Sequence, residues 1–296
     1  MKHLFRICYF IMFGLLIIFF SSCDSEGPTN TLNGLPQDLS SMNIIDHTIA
    51  DISQIQLEAI FKAKEQLHIA YGHTSHGSQI ITGMQGLINF RGDIYSFNNG
   101  GNDGALDLRD SPFSGASDLG SPDRTAWATA TRTYLQENSD INVIIWSWCG
   151  QVSTATEEDI QIYLNLMSGL EIEFPAVIFI YMTGHLDGSG ENGNLNLRNE
   201  QIRNYCNTNK KILYDFADIE SYDTNGGTNY MLLNANDNCD YDSDGNGSRD
   251  ANWAINWQNS HTEGIDWYSC SAAHSQALNG NRKAYAAWNL WVSLVQ

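Results

Sequence analysis

Basic residues are scarce in this chain: 15 Lys and Arg stand against 34 Asp and Glu in 296 residues. A protein with that balance cannot neutralise a run of phosphates, which argues against nucleic acid and against polyanion binding over a broad surface. Long apolar runs are also missing, with one exception at the N-terminus, so no second segment is suited to cross a bilayer. Cysteine is sparse as well. Beyond Cys8 and Cys23 there are Cys149, Cys206, Cys239 and Cys270, enough for two disulfides in an oxidising compartment and too few for a disulfide-built scaffold. No internal repeat is visible, which removes solenoids and propellers.

The one apolar run belongs to a leader. Residues 1–22 combine Lys2 and Arg6 with a nearly wholly apolar stretch from Ile11 to Phe20, and Phe20-Ser-Ser-Cys23 closes it. That end resembles a lipobox, which implies a signal peptide and a lipid on Cys23 as the only membrane attachment. The run is short for a spanning anchor. The expected location is the cell envelope, and Asp24-Ser25-Glu26 resembles the surface-export signals of some lipoproteins. Residues 23–45, rich in Gly, Pro, Ser, Asn and acids, read as a flexible tether. The remaining 46–296 fit one domain with a full core. Removing Lys2 and Arg6 from the 15 basic residues leaves 13 against 34 acids, a net charge of −21.

Four apolar runs are expected as buried strands: Leu67–Tyr71, Ile141–Trp146, Ala176–Tyr181 and Lys211–Phe216. They are rich in β-branched or aromatic residues and lack clean alternation, as when both faces are covered. Helical stripes separate them: Ile80, Met84 and Leu87; then Ile160, Tyr163, Leu164 and Met167; then Leu197 to Cys206. A last stripe, Ala284, Ala287, Trp288, Trp291 and Leu294, closes the chain. Strands alternating with helices predict an α/β fold, a three-layer sandwich on a mostly parallel sheet. Two long polar stretches, 91–124 and 221–262, are expected as site-building loops.

Ligands of such sheets bind beyond the carboxyl ends of the strands. Those ends read Gly72-His-Thr-Ser-His-Gly77, Ser147-Trp-Cys-Gly-Gln151, Met182-Thr-Gly-His-Leu-Asp-Gly188 and Ala217-Asp-Ile-Glu-Ser-Tyr-Asp223. All are polar, and three carry glycine. A serine at the first turn would lie at a helix N-terminus, where backbone N–H groups can hold an oxyanion. Ser75 is the candidate nucleophile. Ser78, directly before the Ile80 stripe, is the candidate helix cap.

This order of blocks resembles the SGNH/GDSL hydrolase superfamily, in particular exported members whose first block is His-x-Ser-x-Gly. Here that block is His73-Thr-Ser75-His-Gly77, and the resemblance spans about residues 65–296. It implies a flavodoxin-like sandwich and a serine esterase or deacetylase acting on acyl esters, carbohydrate-linked or small. It implies Ser75 as nucleophile, Gln151 and Gly150 at the oxyanion, and His274 in Cys270-Ser-Ala-Ala-His274 as general base. Ser271 stands where the family places the acid that orients this histidine, so that partner is missing; Asp187 could substitute, and His261 is a rival base. His73, His76, His185 and Trp148 are candidate substrate contacts.

Two alternatives stand beside this. One is a catalytically silent glycan-binding lipoprotein on the same fold, favoured by the missing acid. The other is a zinc-dependent hydrolase using His73, His76 and His185. Separately, the 237–250 stretch carries Asp240, Asp242, Asp244, Asn246 and Asp250 at the alternation of a calcium loop, with Asp237 a further oxygen donor. Residue twelve is Ala251 rather than Glu, so the motif is incomplete, and a structural calcium ion is the expected occupant. No organic cofactor is expected. Cys239–Cys270 is the expected disulfide, with Cys149 and Cys206 free and buried.

Overall fold

The computed structural model describes residues 43–295. The leader, Cys23 and nearly all of the tether lie outside the described residues. The chain builds a seven-stranded, wholly parallel sheet from β1 (Ile44–Ile45), β2 (His68–Gly72), β3 (Phe97–Asn98), β4 (Leu106–Asp110), β5 (Val143–Trp146), β6 (Ile178–Met182) and β7 (Ile212–Tyr214). Their spatial order is β1-β7-β6-β5-β2-β4-β3. From β2 the chain runs outward to β3 and β4, then crosses to β5 on the other side of β2. The order therefore reverses between β2 and β5, where a sheet of this kind opens a crevice for ligand.

Successive residues on each strand feed opposite layers. Ile69 and Tyr71 of β2, Val143 and Ile145 of β5, and Ile180 and Met182 of β6 pack toward α1 (Leu57–Gln66), α2 (Ser78–Arg91) and α8 (Ala277–Ser293). Ala70, Ile144, Trp146, Phe179 and Tyr181 face α3 (Ala126–Glu137), α4 (Glu157–Glu173) and α5 (Asn194–Asn209). Both faces are apolar, which is why no alternation showed in the strand sequences. The expected α/β, flavodoxin-like three-layer sandwich is the observed architecture.

The four anticipated strands form, and three more join them. Ile44–Ile45, assigned to the tether, pairs in register with Leu213–Tyr214 and belongs to the sheet. The 91–124 stretch holds β3 and β4. Their signal was interrupted by Asp107, which is 2 % exposed and bonded by Arg109, His68 and the Gly100 N–H. After β7 comes a short helix, α6 (Phe216–Ile219), and the 221–262 stretch is also partly regular, with a short hairpin of β8 (Asp240–Tyr241) and β9 (Ala251–Asn252) leading into α7 (Trp253–Ser260). The terminal helix α8 is buried nearly all round, Trp288 and Trp291 with it, because it packs against α2 and α1 as well as the sheet. Among the described residues no helix is long and apolar enough to cross a membrane.

The Cys239–Cys270 disulfide is not formed: Cys149, Cys206, Cys239 and Cys270 are all free thiols. Cys239 packs beside Trp253 and Leu278, while Cys270 lies against the main core between Ala277 and Asn281.

Candidate active site

Four strand ends and one loop build the site. After β2 the chain turns through His73–Gly77 into α2. Gly72 has no room for a side chain, since a Cβ there would stand 2.1 Å from the Trp146 ring, and a Cβ on Gly77 would stand 2.2 Å from Ser147 Oγ. These close approaches fold the turn flat against the end of β5. Ser78 does not cap α2 as expected. It is the first helical residue, and its hydroxyl donates to the Ser75 carbonyl at 2.7 Å.

The turn delivers His76 to the residue after Trp148. His76 Nδ1 lies 3.4 Å from Cys149 Sγ, and His76 Nε2 lies 3.0 Å from Asp237 Oδ2. Ser75 Oγ stands 3.6 Å from the same sulfur. Thiol, imidazole and carboxylate thus form a continuous row, in the order that nucleophile, base and orienting acid take in a catalytic triad. The imidazole is 9 % exposed and the carboxylate 24 %.

The electrostatics fit an ion pair. Burial pushes the Cys149 thiol up, but hydrogen bonds from His76, Ser75 and Thr74, with the His76 charge, outweigh it and bring the thiol below its ordinary value. Burial also works against a charge on His76. The bond to Asp237, the contact with Cys149 and the field of Glu220 overcome that and raise its pKa. Asp237 is lowered despite its burial, chiefly by the His76 bond. The other thiols go the opposite way: burial takes Cys206 and Cys239 to about 12 and Cys270 to about 11.

Asp237 owes its place to the acidic loop. Asp240 accepts from Asn238 Nδ2 at 2.8 Å and from Asn252 Nδ2 at 2.8 Å, pinning the turn that carries Asp237. Asp242 is 4 % exposed and accepts the N–H groups of Gly245, Asn246 and Gly247. Asp244 accepts from Asn246 and Asp250 from Ser243. Arg249 reaches across to the Gly188 and Asn234 carbonyls. Among the described residues, no three of the loop carboxylates bring ligand atoms within 4.8 Å of one another. The residues singled out for calcium accept hydrogen bonds within the loop.

The sequence-based candidates fall into two groups. Ser75, His76, His185 and His274 come together. His185 stacks flat on His76, with ring centroids 3.7 Å apart and planes 2° from parallel, and His274 stacks beyond at 4.6 Å and 19°. His274 sits in left-handed backbone at φ +62 and makes no hydrogen bond to Ser75, so the Ser75–His274 pair is not formed. Gln151 is occupied. Its Oε1 accepts the Cys149 N–H at 3.0 Å and its Nε2 donates to Asp118 at 3.1 Å, which removes it as an oxyanion donor. Gly150 is exposed beside open space. Trp148 is 2 % exposed with its indole N–H on the Met182 carbonyl, so it is core rather than a substrate contact. His73 turns away to Asp110 at 2.6 Å.

Cys149 and Asp237 are the members of this row that motif reasoning passes over, since the sequence places Cys149 with the core and Asp237 with a cation. The available signal was a cysteine directly following a strand that borders the switch point.

Metal ligation can be tested on the same atoms. His76, His185 and Asp237 bring three ligand atoms within 4.8 Å, whereas His73 is not among them. Imidazole lone pairs lie in the ring planes, and two rings stacked parallel 3.7 Å apart aim theirs along parallel lines. A zinc ion about 2.1 Å from each nitrogen cannot lie in both planes. With the rings stacked in this way, chelation by His76, His185 and Asp237 requires one imidazole to turn.

No protein-family model matches the chain, and no curated protein or solved structure matches it.

Proposed function

We propose that the chain is a thiol-dependent acyl hydrolase whose nucleophile is Cys149, with His76 as general acid–base and Asp237 orienting the imidazole. The Cys149–His76–Asp237 row at the β2/β5 switch point carries this reading. It keeps the reaction class implied by the family resemblance and moves the chemistry from Ser75 to the adjacent sulfur. The thiolate attacks the carbonyl carbon of an acyl ester, and His76 Nδ1 protonates the departing alkoxide as the C–O bond breaks. Water then attacks the thioester while His76 takes its proton. The C–S bond breaks to give the carboxylic acid, which leaves and loses its proton to solvent, and the thiolate–imidazolium pair is restored. The N–H groups of Ser75, His76 and Gly77, which no carbonyl accepts among the described residues, supply donors for the oxyanion beside the thiolate. Small or carbohydrate-linked esters and a lipid-anchored location through Cys23 remain part of the proposal.

A second reading rests on the proximity of His76, His185 and Asp237, which makes a metal-dependent hydrolase the competitor. Assaying wild type and Cys149→Ser on a panel of short acyl esters, with and without a chelator, separates the two. Activity that resists chelation and vanishes in Cys149→Ser supports the thiol. Activity abolished by chelation and restored by zinc supports the metal. No activity in wild type leaves the silent glycan-binding protein.

A further inference from the structure

Beneath the site lies an ion pair that the row above does not use. Lys283, on α8, is 0 % exposed, and its Nζ donates to Glu220 Oε2 at 2.6 Å and to Gln79 Oε1. The ammonium also sits 3.5 Å above the Phe216 ring. A charge pair this deep is costly to bury, and replacing it with apolar residues is often neutral or stabilising, so its presence calls for a reason other than stability.

The reason lies at the two ends of the network. Glu220 Oε1 accepts the N–H of Leu186, the residue after His185. On the other side, Gln79 Nε2 donates 2.6 Å to the carbonyl of Ala273, the residue before His274. One unbroken chain therefore runs Leu186–Glu220–Lys283–Gln79–Ala273. Its ends adjoin the two histidines that stack on His76, from the β6 end and from the segment before α8. His185 is fixed further by its own Nδ1 on the Leu186 carbonyl at 2.8 Å and by Asn199, which holds Gly184 through two bonds.

We propose that Glu220, Lys283 and Gln79 are positioning residues: a buried charged brace that holds His185 and His274 against His76 and so keeps the His76 ring in line with Cys149. This rests on Cys149 being the nucleophile. The groups that face His76 are Cys149 after β5, Asp237 from the loop, His185 after β6, His274 before α8, and Glu220 after β7. Of these only Glu220 is tied to both stacked neighbours through one network. It also adds negative charge that favours the imidazolium. Burial lowers the His185 pKa, which disfavours a second positive charge against the His76 ring.

The test is the rate of Cys149 alkylation by iodoacetamide across the neutral pH range, measured beside kcat and KM on a short acyl ester. The variants are the double Glu220→Gln/Lys283→Met and the single Gln79→Met. The double change removes both charges together, keeps comparable volume, and leaves an acceptor for the Leu186 N–H. Gln79→Met keeps the Glu220–Lys283 contact, removes the Gln79 acceptor from Lys283 Nζ and frees the Ala273 carbonyl, so it decides the matter if the double variant does not fold. A brace predicts alkylation at neutral pH about tenfold slower in the double variant, equivalent to a rise of about one unit in the thiol pKa. It also predicts a fall in kcat at unchanged KM, and a smaller change in the same direction for Gln79→Met. Fast wild-type alkylation that folded variants share, with kcat unchanged, overturns the brace and leaves the Cys149 row standing. Slow wild-type alkylation at neutral pH overturns the Cys149 reading itself, and the brace falls with it.

Discussion

Replacing Asp237 with Asn removes one charge from the row and little else. The carboxylate accepts from His76 Nε2 at 3.0 Å, and its side chain is 24 % exposed. Two unit charges about 4 Å apart interact by about 4 kcal/mol at an effective dielectric near 20. Taking about half of that for the solvent-facing edge leaves about 2 kcal/mol, or about 1.5 pKa units at 1.36 kcal/mol each. The sign follows from which form loses support. Without the carboxylate the imidazolium is disfavoured, so His76 titrates lower, whereas Cys149 loses its proton while His76 is still charged and its limb stays in place. The thiolate–imidazolium pair fills the interval between these two values, and that interval shrinks from its alkaline side. The alkaline limb of kcat/KM should move down by about 1.5 units. At pH above the wild-type alkaline limb activity should fall about 30-fold, which is 1.5 units on a tenfold-per-unit scale. The assay is kcat/KM on a short acyl ester across the pH range, with folding checked by circular dichroism. A fall in activity with the alkaline limb unmoved would refute the role given to Asp237.

Three further outcomes follow from the same geometry. Under native conditions iodoacetamide should label Cys149 and spare Cys206, Cys239 and Cys270, whose thiols burial holds at about 11 to 12, and peptide mapping reads the selectivity. Ser75→Ala should cost about tenfold or less, since its hydroxyl only supports the sulfur at 3.6 Å; a loss of about 10⁴-fold would return the nucleophile to Ser75. Gly72→Ala forces a methyl to 2.1 Å from the Trp146 ring and should destabilise the fold by about 3 kcal/mol, read as a lowered chemical-denaturation midpoint at unchanged slope.

The parallel α/β layering was legible because hydrophobic burial writes itself as apolar runs, and Leu67–Tyr71, Ile141–Trp146 and Ala176–Tyr181 are such runs. β4 was not, because its buried Asp107 is compensated by Arg109 and His68, contacts that depend on the fold. β1 was too short to stand out from the tether at two residues. At the strand ends, the crowded turn at Ser75–His76 is where the thiol, imidazole and carboxylate meet. The actual pairing escaped because it is not local. His76 meets a sulfur 73 residues away and a carboxylate 161 residues away. Asp237 also lies beside a run of aspartates whose spacing suggests a cation, which drew the reading away from its bond to His76. His274 sits near the site as its block implied, but stacked on His76 rather than bonded to Ser75.

The most direct measurement is the mass of the protein quenched during incubation with a short acyl ester, with the modified peptide sequenced. The account predicts one added acyl group, held as a thioester on Cys149, released by hydroxylamine and absent in Cys149→Ser. An acyl group on Ser75, or ester turnover that persists undiminished in Cys149→Ser, would contradict it.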